Sequence, residues 1–187
     1  MNIFYLDKDP KRCAEMHCDK HVVKMIIEYA QLMSTAHRIL DGDPYEGKTA
    51  NGRRIARWRH PIEKMENTLY KASHVKHPSN LWVRKSQNHY NWLYQMWTHL
   101  CDEYTHRYGK VHETDRKLRD MLSSPPMQID VEPYVDPYLA MPDDVKQTNV
   151  VEAYKNYYIN YKKDFAKWTK RPIPEFMKFE THAGYAS

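Results

Sequence analysis

His17-Cys18-Asp19-Lys20-His21, followed by Lys24 and Glu28, is a dense concentration of reactive side chains near the start of the chain. Positions 17, 21, 24 and 28 are spaced i, i+4, i+7 and i+11, which on a continuous helix makes one line. Such a line can move protons near neutral pH, with His17, His21 and Glu28 as the catalytic set and Lys24 holding an anionic group. An ordinary i,i+4 ion pair between Lys24 and Glu28, worth about 0.3 kcal/mol, is the plainer reading of those two. Two histidines four apart also suit a helical metal site. A zinc protease needs glutamate directly after the first histidine, and Cys18 stands there instead. If a metal is present, His17 and His21 are its expected ligands, completed by Glu28, His74 or His77. Otherwise no metal is expected, and the sequence specifies no cofactor. Cys18 has cationic neighbours that favour a thiolate, but it falls on an apolar stripe, which favours an inert buried thiol.

A second polar concentration is His74-Val75-Lys76-His77-Pro78-Ser79-Asn80, just ahead of a predicted helix. Helix N-termini bind anions, so His77, Ser79 and the free amides are candidates to hold a phosphate. Trp82 and Arg84 follow, one to stack on a base and the other to reach its phosphate. Arg38 adds a planar fork for phosphate. Arg57 sits in the basic run Arg53-Arg54-x-x-Arg57-Trp58-Arg59-His60. Trp58, Trp82 and Tyr90 are candidate stacking platforms. Each of these has a structural alternative: a solvated basic face, a helix-end arginine, or an aromatic in the core.

The elements that must position these residues are mostly helices. Asp9-Pro10 is a helix start, and the apolar stripe Ala14, Cys18, Met25, Tyr29, Leu32, Met33, Ala36, Leu40 carries one helix to Asp41-Gly42. Residues 41–59 hold Gly42, Pro44, Gly47 and the Asn51-Gly52 turn pair, which suits a loop or a small hairpin. A short helix is predicted over 61–72 and a long one over 80–108 capped by Ser79. A charged helix over 113–122 and a last helix over 148–168 follow. Residues 123–147 are a proline-rich irregular segment, 170–187 an extended tail, and residues 2–6 a small strand or a buried extended arm. The predicted fold is therefore mainly α: a single-domain helical bundle across 1–187, with long irregular loops and a short N-terminal strand.

Composition agrees. The 187 residues are 41% hydrophobic and 28% charged, with 13% aromatics and only 5 glycines, so a turn-rich all-β protein is disfavoured. No run is long and apolar enough for a transmembrane helix, and the N-terminus lacks the pattern of a signal peptide. A net charge of +5 permits nucleic-acid binding without demanding it. Three cysteines without close pairing argue against a disulfide framework and point to a reducing cytoplasm.

The motifs HCDKHVVKM, AQLMSTAHRILDG, HPSNLWVR, RYGKVH, MPDDVK and VVEAYKNYY together resemble a group of short tailed-bacteriophage proteins, cyanophages included. Members are associated with pyrimidine-base glycosylases or base-modification enzymes. The Gly-rich hairpin and catalytic residues of helix-hairpin-helix glycosylases are not found here. The resemblance implies a phage setting, in the cytoplasm of the infected host, and a nucleotide or DNA partner. The favoured reading is an enzyme acting on DNA or a nucleotide in base modification, excision or repair. It would use His/Glu acid–base chemistry and Arg/Lys phosphate contacts. The alternatives are a metal-dependent oxidoreductase or hydrolase built on His17 and His21, and a non-enzymatic binder of a host protein or signalling nucleotide. Oligomeric state does not follow from these residues.

Overall fold

The computed structural model describes residues 1–178 of the chain. Its axis is α2 (Asp19–Asp41), the longest helix, against which α4 (Pro78–Lys85), α5 (Gln87–Tyr108) and α6 (Glu113–Leu122) pack. Helix α1 (Pro10–Met16) packs on α5. The stripe Met25, Tyr29, Leu32, Met33 and Ala36 is fully buried and meets Trp82, Leu93, Trp97 and Leu100 from α4 and α5 in one core. Trp97 reaches through it to donate to the Ile26 carbonyl at 2.9 Å. The only sheet among the described residues is an antiparallel hairpin, β1 (Asp43–Lys48) with β2 (Arg54–Arg59), turning at Gly52 with φ 82°. A mainly α single domain is thus observed.

The expected single helix from Asp9 to Leu40 is broken in two. In a continuing helix the His17 amide would take the Cys13 carbonyl. Here the His17 ring takes it instead, Nδ1 to oxygen at 2.7 Å, and the amide turns to Ala14. His17 and Cys18 are both extended, and α2 restarts at Asp19. Asp19 donates its amide to the Lys167 carbonyl at 2.7 Å. The proposed four-residue line is therefore not one helix face.

The expected helix over 80–108 is likewise two. Ser86 is extended, and its hydroxyl caps α5 at Asn88 while donating to the Glu132 carbonyl at 2.7 Å. The cap of α4 is His77, whose Nδ1 accepts from Ser79 N–H, with Pro78 in the first turn. The last helix is shorter than expected. Helix α7 covers Val150–Tyr157, and the ladder then widens into a π turn at Tyr158–Lys162. A third short helix, α3 (Glu63–Thr68), follows the hairpin. The tail predicted to be extended falls partly beyond residue 178 and so partly outside the described residues.

Residues 2–6 form no strand. They are an arm laid across α2, with Ile3, Phe4, Tyr5 and Leu6 buried. Its backbone is tied by Phe4 N–H to the Tyr29 hydroxyl at 3.1 Å and by Phe4 oxygen to the Cys13 thiol. The proline-rich segment after α6 is irregular but pinned. Trp82 Nε1 donates to the Val135 carbonyl, Val135 N–H donates to His89, and the Asp41 carboxylate accepts from Met127 and Gln128 amides.

Candidate active site

The arm ends at the Met1 α-amino group, which lies 3.5 Å from Glu28 Oε1. The Met1 side chain is 7% and the Glu28 side chain 20% exposed, so solvent screens the pair only in part. Burial, together with the α-amine and His74, holds the His77 imidazole below its ordinary value, with Glu28 acting in the opposite direction. The amine, Glu28, His74 and His77 therefore share one electrostatic environment. The loop that brings the histidines is fixed by Asn80, whose amide donates to the carbonyls of Ser73 and His74. His74 has φ 47°, a left-handed conformation uncommon for a non-glycine residue. Arg84 clamps the same loop through Val75 oxygen at 2.7 Å, while its Nη1 is buried without a partner. Among the described residues Arg84 makes no ion pair, so its positive charge is left for an anion.

What holds the amine in place is a chain of neutral polar contacts. Tyr29 hydroxyl accepts from Phe4 N–H, so its own hydrogen points to His17 Nε2 at 2.7 Å. His17 then carries its proton on Nδ1 and donates to Cys13 oxygen. His21 is stacked on Phe4 at 4.2 Å and bonded through Nδ1 to the Tyr158 hydroxyl at 2.5 Å. Both nitrogens of His17 are used, so the metal set built on His17 and His21 lacks a free ligand at its first position. The two histidines position the arm rather than face a substrate.

These rings are held neutral. Burial lowers His17 to about 4, aided by Arg107 and opposed by the Cys13 carbonyl. Burial also lowers His37 to about 4 and His21 further, the latter with help from His17 and nearby lysines. An unfolded histidine protonates near 6.5. Between that value and about 4 the unfolded chain therefore binds more protons, and stability must fall as pH falls. Each such ring contributes a slope of about 1.4 kcal/mol per pH unit. Melting temperature measured from pH 7.5 to 4.5 is expected to drop steeply below 6.5, and a flat profile would contradict this burial.

Several candidate phosphate contacts are corrected. Arg38 is buried, and all three guanidinium nitrogens are occupied: Nε by Tyr70 oxygen, Nη1 by Trp58 oxygen and the Glu66 carboxylate, and Nη2 by Glu66 and Leu69 carbonyls. It ties the hairpin to the segment after α3. Arg57 is committed through Nη1 to the Ala72 carbonyl, and Ser79 is buried beneath the α4 cap. Trp82 is buried and stacks on His89 at 4.4 Å, and Tyr90 is buried with its hydroxyl on Leu122 oxygen. Neither can receive a base, whereas Trp58 on the hairpin is half-buried. Lys24 is exposed and unpaired among the described residues, because Glu28 is taken by the amine. Burial raises the Cys18 thiol, which leaves it inert. The residues the sequence did not suggest are the Met1 amine, which no side-chain motif encodes, and His74 as more than a loop residue.

The amine on a carboxylate, near histidines and with an arginine that has no ion pair among the described residues, is a set of groups capable of nucleophilic or acid–base chemistry. The sequence profile described as Pyrimidine dimer DNA glycosylase matches residues 1–117, and the chain belongs to that family. It is accordingly a DNA base-excision enzyme by family. The match takes in the arm, Glu28, the His74–Arg84 segment and all of α5. No curated protein and no solved structure matches the chain. Among the described residues no helix is long and apolar enough to cross a membrane.

Proposed function

We propose that this chain excises pyrimidine dimers from DNA, with the Met1 α-amine as nucleophile and Glu28 as its proton acceptor. The single observation that carries the reading is the 3.5 Å approach of the amine to Glu28 at the end of a buried arm. An amine can displace a base at C1′: the nitrogen–C1′ bond forms as the C1′–base bond breaks, and the base leaves with the electron pair and takes up a proton. The new secondary ammonium gives one proton to Glu28, which passes it to O4′ as the C1′–O4′ bond breaks; this leaves the ring-opened protonated imine and returns Glu28 to a carboxylate. Glu28 is then placed to take a C2′ proton, and the 3′ phosphate leaves by elimination. His77, which shares the electrostatic environment of Glu28, and Arg84, which clamps the same loop, are the residues assigned to the flanking phosphates.

Lys20, Val23, Lys24 and Ile27 form the outer face of α2 next to Glu28, mixing cations with half-exposed apolar groups. That mixture suits a duplex whose stacking must be opened. The motif resemblance to tailed-phage proteins supports a role in repairing phage DNA in the cytoplasm of an infected host. The test is a duplex with one cyclobutane dimer, incubated with borohydride. Reduction of the imine is expected to give a covalent protein–DNA adduct joined at the N-terminal residue. Cleavage with no adduct would remove the amine mechanism, and no cleavage would remove the substrate.

Arg84 gives an independent check on the DNA-facing side. Arg84→Ala is expected to weaken binding across sequences and to reduce the slope of log K against log salt by about 1. Fluorescence anisotropy over a salt series measures it, and an unchanged slope would take Arg84 out of the interface.

A further inference from the structure

We propose that His37, Asp41 and His60 form a binding site for one divalent transition-metal ion of the zinc class. One ligand atom from each lies within 4.8 Å of the others. The site is separate from the amine–Glu28 centre and does not depend on it. His37 and Asp41 stand i,i+4 on the last turn of α2, so they share a face. His60 follows β2, and the hairpin register that pairs Asp43 with Arg59 brings it back against that turn. Gly42 permits the return. A Cβ there would sit 2.4 Å from Arg38 oxygen and 2.8 Å from Arg59 oxygen.

Both histidines are buried, at 2% and 3% exposure, and each has a ring nitrogen without a hydrogen-bond partner: Nδ1 of His37 and Nε2 of His60. The His37 tautomer follows from its neighbours. Tyr90 donates its hydroxyl hydrogen to Leu122 oxygen, so the 2.8 Å contact to His37 must be donated by Nε2–H. Nδ1 is then a bare lone pair, the form a metal takes. The Ser124 backbone comes close enough to favour a proton on this ring, in competition with a metal, but its geometry falls short of a hydrogen bond to Nδ1. Asp41 is oriented by two backbone amides, Gln128 on Oδ1 and Met127 on Oδ2, which leaves each oxygen a further lone pair. These are the outer contacts that fix metal ligands.

His60 must adjust. Its Nδ1 accepts from Ile62 N–H at 3.1 Å, so loading moves the ring proton from Nε2 to Nδ1 and releases that amide. Ile62 is 47% exposed, so water can take the amide over. Two imidazoles and a carboxylate are a borderline-soft set that suits zinc rather than magnesium or calcium. Three protein ligands leave a tetrahedral ion one position for an oxygen ligand. His37, Asp41 and His60 all line a cavity of about 600 Å³, whose lining also includes Lys64, Lys117 and Ser124 and through which such a ligand can enter.

The experiment is titration of untagged, chelator-treated protein with Zn²⁺ and with Co²⁺. About one equivalent is expected to bind, with a visible Co²⁺ absorption band and a raised melting temperature. His60→Gln and Asp41→Asn, checked by circular dichroism, are each expected to weaken binding tenfold or more. Less than about a tenth of an equivalent, or undiminished binding in both folded variants, overturns the site. Should either variant fail to fold, anomalous diffraction at the zinc edge from wild-type crystals decides. A peak between the three side chains supports the site, and a peak elsewhere or none removes it.

Discussion

Glu28→Gln is expected to slow dimer excision by about 10²–10⁴-fold while leaving DNA binding intact or tighter. The substitution keeps shape and hydrogen bonding but removes the carboxylate paired with the α-amine. It takes away the acceptor for the amine proton and for the C2′ proton, so both bond-making and elimination should slow. Binding should not weaken, because a negative charge near the phosphates has been deleted. Single-turnover cleavage and anisotropy on the same dimer duplex separate the two effects. A cleavage rate within threefold of wild type would remove Glu28 from the chemistry. A chain carrying one extra residue before Met1 is the companion. It moves the amine off Glu28 and is expected to abolish the borohydride adduct without unfolding the helical core.

The second large effect concerns stability. Arg107→Ala is expected to destabilise the fold by about 3–5 kcal/mol, because it strips one partner from a buried ionic network. Arg107 is fully buried and reaches Glu103 at 2.9 Å, Asp19 at 2.9 Å and the Glu15 carbonyl at 3.0 Å. It therefore joins α5 to the broken junction between α1 and α2. Glu103 is bound as well by Arg171 at 2.8 Å. Burial works to raise the Glu103 carboxyl, but hydrogen bonds from Arg171 and Arg107 overcome it and hold the carboxyl below its ordinary value. A carboxyl lowered in the folded state stabilises above its unfolded value, near 4.3, and loses that contribution as pH falls through the folded value. Urea denaturation of Arg107→Ala should show the loss at pH 7 and a shallower decline toward pH 3. A change under 1 kcal/mol would mean that the network is solvated.

Much of the helical frame was legible, and the misses have local causes. The stripe through Tyr29 and Met33, the stop at Asp41-Gly42, the Asn51-Gly52 turn and the charged helix at 113–122 all follow from periodicity and turn chemistry. The breaks at His17 and Ser86 do not. In each, a side chain takes a role that the backbone would otherwise fill, and composition carries no sign of it. Glu28 stood out by residue type and spacing, but its partner is a chain end rather than a side chain. Trp82 and Arg38 were ambiguous between core and surface because the break at Ser86 that sets His89 against Trp82 has no sign in the sequence, and Glu66 lies 28 residues from Arg38. The His37–Asp41 spacing was open to inspection, whereas its third member depends on how the hairpin folds back.

Three buried histidines each lean on a buried tyrosine: His17 on Tyr29, His21 on Tyr158 and His37 on Tyr90. Losing one member strands the other and costs about 1–3 kcal/mol, while replacing both by apolar groups of similar shape can be nearly neutral. Each couple is thus an evolutionary valley with two separated rims. Lineages should keep a couple whole or exchange it whole, and the single-substitution intermediates between those states should be rare among living sequences.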